Sequence, residues 1–418
     1  MNASPLTLPA SLVWLLGAGL LAARVARWLG LPDLVLFVLL GVVLGPGMLD
    51  RVNLPATGGV GQLIVIGGAV FMLYEGGRAV DLAVLRRIWP AVALLASLGV
   101  AVTAAVVAVA SRLVLGVPWT VALLAGAVVA GTDPATIVPL FARLRVRSRL
   151  VQLVVAESAF NDATGAVFTM TVLLAITGGR VLAGPVAVDF ARLVVLGAVV
   201  GVMVGSGVQA LVAGDRRWGG FLTEREEVTT ASLLAMALAY VVANALGGSG
   251  FMAVFVAGIV RGRIPVPPGA QHEAAHNEFL TLLGTVVRML VFGVLGASVN
   301  LRLIGAMGPG GVAVVGVLLF VARPLAVFLT LPLHRAARWS GRELLFTAWV
   351  RETGVVPAAL AGLLLGVRAP GADVVAALVF LAVVLTIAVQ APTTAAWAHR
   401  LAVSDPDGGG SVDRGRGQ

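Results

Sequence analysis

Apolar runs of about twenty residues recur from one end of this 418-residue chain to the other. No other feature constrains the fold as strongly. A helix needs roughly 20 apolar residues to cross a bilayer, whereas barrel strands alternate over about ten. Blocks such as 91–110 are Leu, Val and Ala without alternation. Charged residues make up 12% of the chain, about half of what a soluble domain carries, and the mean hydropathy is +1.01. A soluble globular enzyme is excluded. The chain reads as an all-α integral membrane protein.

Thirteen spans are expected, near 9–27, 31–49, 58–77, 89–111, 117–141, 149–176, 185–213, 227–245, 247–260, 276–299, 306–332, 343–366 and 373–398. No positive charge precedes the first, and no cleavage site follows it, so it is read as a span rather than a leader. Residues 1–403 form the membrane domain. Residues 404–418, rich in Gly, Asp and Arg, have nothing to bury and read as a disordered cytoplasmic tail, with no soluble regulatory domain.

All 29 basic residues are Arg. Loops after odd-numbered spans, with the tail, hold twenty; loops after even-numbered spans hold six; three lie within spans. The positive-inside rule then places the N-terminus outside and the C-terminus in the cytoplasm of a cell membrane. The net charge of +9 is explained by these loops, and no nucleic-acid partner is expected. With no Cys, disulfides, thiolate metal sites and a cysteine nucleophile are excluded. The Gly-rich stretches do not form a phosphate-binding loop. No cofactor is expected.

Thirteen spans divide as six, one and six, which implies two inverted six-helix repeats joined by span seven. Breaks fall in matching places. Gly131-Thr132-Asp133-Pro134 interrupts span five, and Arg351-Glu352-Thr353-Gly354, with Pro357 beyond, interrupts span twelve. Freed backbone groups are tolerated in a bilayer only where they face protein or a water-lined cavity. A matched pair of broken helices therefore marks a transporter's site.

Ionisable groups inside the membrane cost several kcal/mol and default to function. The set here is Glu75, Asp133, Glu157, Asp162, Arg288, Arg323, Arg351 and Glu352. Span six is densest, in Ala156-Glu157-Ser158-Ala159-Phe160-Asn161-Asp162. Helical spacing stacks Glu157 with Asn161, and Ser158 with Asp162, on adjacent faces. A hydroxyl and a carboxylate opposite Asp133 give hard oxygen donors for a partly dehydrated alkali cation. No His or Cys is near, which disfavours a transition metal. A buried carboxylate that holds either a cation or a proton is by itself a cation/proton exchanger. Glu157 is read as structural, paired with a membrane Arg. Glu75 is read either as an interface residue or as lining a cytoplasmic funnel. Arg143, Arg145, Arg147 and Arg149 read as a topology anchor, and His272 and His276 as solvated loop residues.

On these residues the chain resembles the NhaP-type sodium/proton antiporters, in the branch with Asn-Asp in span six. The resemblance covers nearly the whole membrane part: Gly45-Pro46-Gly47, Thr132-Asp133-Pro134, Glu157-Ser158 with Asn161-Asp162, Gly248-Ser249-Gly250-Phe251, Arg323-Pro324, and Arg351 through Gly354. It implies a dimer domain and a six-helix core around two crossing broken helices. It also implies that Asp162 is the essential exchange carboxylate. Asp133, Ser158, the Thr132 backbone and Glu75 (through water) would complete the cation site. Asn161 would tie the first break to span six, and Glu157 would pair with a membrane Arg. Na⁺ or Li⁺ exchange for H⁺, electroneutral and one-for-one in a homodimer, is the implied activity. K⁺/H⁺ exchange on the same fold is the alternative. Two residues depart from the pattern: Arg288, where a neutral residue is expected, and Glu352, where many relatives have Gly. A sodium-coupled symporter would need a roomier site. An intramembrane aspartyl protease would need a Gly-x-Gly-Asp signature, which is missing. The chain is read as a carrier, not an enzyme.

Overall fold

The computed structural model describes residues 7–29, 33–55, 58–80, 82–133, 141, 144–178, 184–213, 225–262 and 270–403. Pro134, Arg143 and the expected tail 404–418 lie outside these, as does the side chain of His272. The described elements are α1 (Thr7–Leu29), α2 (Asp33–Leu44), α3 (Gly59–Arg78), α4 (Leu82–Leu94), α5 (Val100–Leu115), α6 (Trp119–Val129) and α7 (Ser148–Thr177). They continue with α8 (Gly184–Ala213), α9 (Arg225–Ala245), α10 (Gly250–Gly262), α11 (Ala270–Ser298), α12 (Leu301–Val317), α13 (Arg323–Thr330), α14 (Gly341–Trp349), α15 (Val355–Gly366) and α16 (Ala372–Arg400). Five residues of π helix, Leu95–Gly99, join α4 to α5, and five more, Leu318–Ala322, join α12 to α13.

Among the described residues, nine helical stretches are long and apolar enough to cross a membrane. Four shorter apolar helices, α2, α6, α10 and α15, overlie four further expected runs, α10 ending two residues beyond its run. Span eleven differs from its expected bounds. Its helix begins at Leu301, where the Asn300 side chain accepts from the Leu303 N–H at 3.2 Å. It then kinks at Gly308-Pro309, with Gly308 at φ +49°.

Small residues set the packing. A Cβ on Gly41 would strike the Gly293 carbonyl, and one on Gly296 would strike that of Val38, so α2 and α11 touch backbone to backbone. Gly77 and Gly258 do the same for α3 and α10. Lipid gives apolar side chains little reason to leave it, so close approach and dispersion hold such helices together. α1, α2, α3, α8, α9, α10 and α11 pack as one group, and α4 to α7 pack with α12 to α16 as another. α15 bridges them, lying against α3, α11 and α16.

The basic segment before α7 does more than its reading as a topology anchor implies. Arg149 donates to Glu343 Oε2 at 2.8 Å and lies over the Trp339 ring at 4.1 Å, and Arg147 is 3.7 Å from Glu343. Glu343 also completes a capping box with Ser340 that starts α14. The N-terminal ends of α7 and of the second broken helix are thereby clamped together. His276 is buried rather than solvated, with Nδ1 2.9 Å from the Thr229 hydroxyl.

Candidate cation site at the crossed helix breaks

Both breaks stand where the sequence places them, and they meet. α6 ends at Val129, and the chain runs non-helically through Asp133. α14 ends at Trp349, and α15 resumes at Val355. The Asp133 N–H donates to the Glu352 carbonyl at 2.9 Å, joining the two openings directly.

Each break supplies the charge that the other one needs. A helix carries partial negative charge at its C-terminus and partial positive charge at its N-terminus. Arg351 Nη2 donates to the carbonyl of Val129, the last residue of α6, and to that of Gly131 at 3.2 Å. In return, Asp133 Oδ2 accepts the N–H of Val355, the first residue of α15, at 3.3 Å. Gly354, the N-cap of α15, has no side chain with which to cap. Asp133 serves that purpose from across the crossing. The contact demands glycine: a Cβ at Gly354 would collide with the Asp133 Cβ and carboxylate. Gly354→Ala is therefore expected to lower the Tm of the detergent-purified protein by the equivalent of about 1–3 kcal/mol, because overpacking here displaces the cap. An unchanged Tm would show that the two breaks are loosely joined.

α7 passes behind the first break and takes up its backbone. The Thr132 N–H donates to Asn161 Oδ1 at 3.0 Å. Thr132 Oγ1 accepts from Asn161 Nδ2 at 2.7 Å, and the Thr132 carbonyl accepts the Ser158 hydroxyl at 2.5 Å. Asn161 Nδ2 also reaches Glu157 Oε1 at 2.7 Å. Glu157 is fully engaged beyond that. Arg323 Nη1 and Nη2 hold its two oxygens at 2.9 and 3.0 Å, with both residues buried. Bidentate charge-assisted pairing is the strong form of this contact, and it removes Glu157 from the groups free to exchange.

Asp162 is the opposite case. It stands one turn after Ser158 on α7, and its Oδ1 is buried without any hydrogen-bond partner. That oxygen faces the bend of the first broken helix. A Cβ on Gly131 would lie 2.8 Å from it and 3.3 Å from Pro357 Cγ. A buried carboxylate oxygen with no donor is costly, and the break that it faces at Gly131 continues into the Thr132 carbonyl, to which the Ser158 hydroxyl is bonded, and Asp133. All of these are hard oxygen donors. They fit a dehydrated alkali cation or a proton as substrate.

Two expected site residues are not brought here. The Glu75 carboxylate is taken by Arg78 at 2.8 Å, and Arg78 in turn holds Asn277 Oδ1 at 2.8 Å. Arg288 is half-buried on α11, donating to Thr285 Oγ1 at 3.2 Å, with no carboxylate partner among the described residues. Two residues that the sequence reading missed belong to the second break. Thr386 Oγ1 accepts the Thr353 N–H at 3.0 Å, and Gln390 Nε2 donates to the Trp349 carbonyl at 2.5 Å. With Thr394 they make a buried i, i+4, i+8 polar stripe on α16. That periodicity is the signal that could have revealed them.

The sequence pattern of the transmembrane sodium/hydrogen exchangers matches residues 13–400. The chain is 32% identical to the K(+)/H(+) antiporter NhaP of Alkalimonas amylolytica over 82% of its own length, but spans only 58% of that relative. It is 30% identical to Na(+)/H(+) antiporter 1 of Methanocaldococcus jannaschii, covering 82% of this chain and 80% of that one. The solved structure of the sodium proton antiporter MjNhaP1 from the same organism superposes with a TM-score of 0.82 at 26% identity, covering 94% of this chain and 98% of that one. The chain belongs to the sodium/hydrogen exchanger family.

Proposed function

We propose that this protein exchanges Na⁺ or Li⁺ for H⁺ across a cell membrane by alternating access, with one cation or one proton taken in turn by Asp162. The observation that carries this reading is the buried, unpartnered Asp162 Oδ1 at the crossed breaks. Asp133, Ser158 and Thr132 are the remaining cation donors. Asp133 does double duty as the cap of α15. A bare carboxylate is costly in an apolar barrier, so the helices around it move only when it is neutralised. With Glu157 held by Arg323, a single carboxylate is left to exchange, and this supports an electroneutral one-for-one cycle.

The Arg distribution supports a C-terminus in the cytoplasm and an N-terminus outside. The resemblance to the NhaP-type antiporters supports a homodimer, and the open apolar face of α1, with Val13, Leu20, Leu21 and Trp28 exposed, is free to meet lipid or a second copy.

The test uses purified protein in liposomes with an imposed pH gradient and a pH-sensitive dye. Na⁺, Li⁺, K⁺ and choline are added in turn, with the membrane potential clamped and unclamped. Collapse by Na⁺ and Li⁺, indifferent to potential, is expected. Collapse by K⁺ favours the second reading, K⁺/H⁺ exchange, which the Alkalimonas relative supports. Potential dependence would make Arg288 a charge in the cycle. No response to any cation overturns the proposal.

A further inference from the structure

The two π segments, Leu95–Gly99 and Leu318–Ala322, interrupt spans that the inverted-repeat reading pairs as mates. π turns are rare and concentrate at functional sites. They also interlock: Leu95–Gly99 packs on α13, and Leu318–Ala322 packs on α5. The second ends where Arg323 begins, one residue before the guanidinium that holds Glu157. The first presents a backbone carbonyl. Ala96 O accepts the Thr164 hydroxyl at 2.6 Å.

Thr164 departs from Thr171 and Thr177 of its helix, and from Thr169, whose buried hydroxyl has no hydrogen-bond partner. Thr171 and Thr177 return their hydroxyls to the carbonyls four residues back, Val167 at 2.8 Å and Leu173 at 2.9 Å. Such local back-bonding is the default for a helical threonine. The same local acceptor of Thr164, Phe160 O, is at 3.0 Å, and Asn161 O is at 3.2 Å. A hydroxyl has one proton, and here its shortest contact is to another helix.

That contact lies on the back of the site. Glu157, Phe160 and Thr164 share one side of α7 at i, i+3 and i+7, Asn161 lies between that side and the break that it bonds at Thr132, and Asp162 lies about 200° away from Thr164 by helical rotation. Phe160 rests edge-on against Trp89 of α4, with ring centroids 5.3 Å apart. The front of α7 meets Gly131 and Pro357 at Asp162. α7 is thus held between α4 with its π turn on one side and the crossed breaks on the other.

The geometry points to Thr164 as a positioning residue. By bonding to the π turn at Ala96, it sets how far α7 advances toward the first break, and hence the spacing of Asp162 and Ser158 from Thr132. This inference rests on the exchange reading of the site. It adds a role for a residue that touches neither ion.

The test compares Thr164→Val, which keeps the shape and removes the donor, with Thr164→Ser, which keeps the donor. Both are reconstituted beside the wild type. Thr164→Val is expected to raise the apparent KM for Na⁺ about fivefold, the scale of one hydrogen bond, and to displace the pH profile of flux. Thr164→Ser should restore both to within about twofold. In detergent, Na⁺ should raise the Tm of the wild type and of Thr164→Ser more than that of Thr164→Val. Should Thr164→Val fold poorly, Thr164→Ala carries the same comparison without the added methyl. An unchanged KM and pH profile in the Val or Ala variant overturns the inference. So does equal impairment of the Val and Ser variants, or a loss of turnover alone. Wild-type protein that neither exchanges nor is stabilised by Na⁺ would overturn the exchange reading instead, and this inference with it.

Discussion

Asp162→Asn yields a protein that folds as well as the wild type and transports nothing. Asn has the same shape but holds neither a proton nor an alkali cation by charge, so both halves of the exchange lose their carrier. Na⁺-driven proton flux in liposomes should fall to that of empty vesicles. The stability side is equally specific. Asp162 Oδ1 has no hydrogen-bond partner to lose, and removing an uncompensated buried charge relieves a cost rather than adding one. The Tm of Asp162→Asn in detergent, without Na⁺, should equal or exceed that of the wild type. Retained exchange by a well-folded Asp162→Asn variant would move the carrier role to another acid.

Glu157 gives the opposite signature. Its carboxylate is closed by Arg323 at 2.9 and 3.0 Å and by Asn161 at 2.7 Å. Replacing one partner of a buried pair leaves the other uncompensated, at a cost of roughly 3–5 kcal/mol. Glu157→Gln and Arg323→Gln should each lower the Tm sharply and lose active protein on purification. The double variant Glu157→Gln/Arg323→Gln buries no charge, and the amide introduced in place of the carboxylate still offers an oxygen to Asn161. It should recover most of the loss, which a double-mutant cycle on thermal unfolding would measure. Additive losses in the double variant would mean that the two residues act separately.

The site was legible in the sequence to the extent that it is written in charge. Asp133, Glu157, Asp162, Arg323 and Arg351 stand out because each is costly in an apolar run. The breaks stand out because Gly and Pro rarely interrupt a span without cause. What joins them was not legible. That Arg351 caps α6 while Asp133 caps α15 depends on two segments more than 200 residues apart meeting at a crossing. The pairing of Arg149 with Glu343 spans 194 residues, and no local pattern announces it. Nor does any residue pattern mark the π turns, since Leu95–Gly99 is an ordinary apolar stretch whose geometry is set by its neighbours. Glu75 shows the converse. It is a membrane acid by composition, yet its nearest partner is Arg78, one helical turn away on its own helix. An acid in a span is thus a candidate only until its partners are known.

The central claim is that one carboxylate carries cation and proton in alternation. The apparent KM for Na⁺, measured in liposomes across a series of pH values, tests it most directly. Two ligands competing for one group make that KM rise about tenfold for each pH unit of acidification on the acid side, with the maximal rate at saturating Na⁺ unchanged by the competition. A KM for Na⁺ that stays constant with pH while the maximal rate falls would contradict a shared site at Asp162.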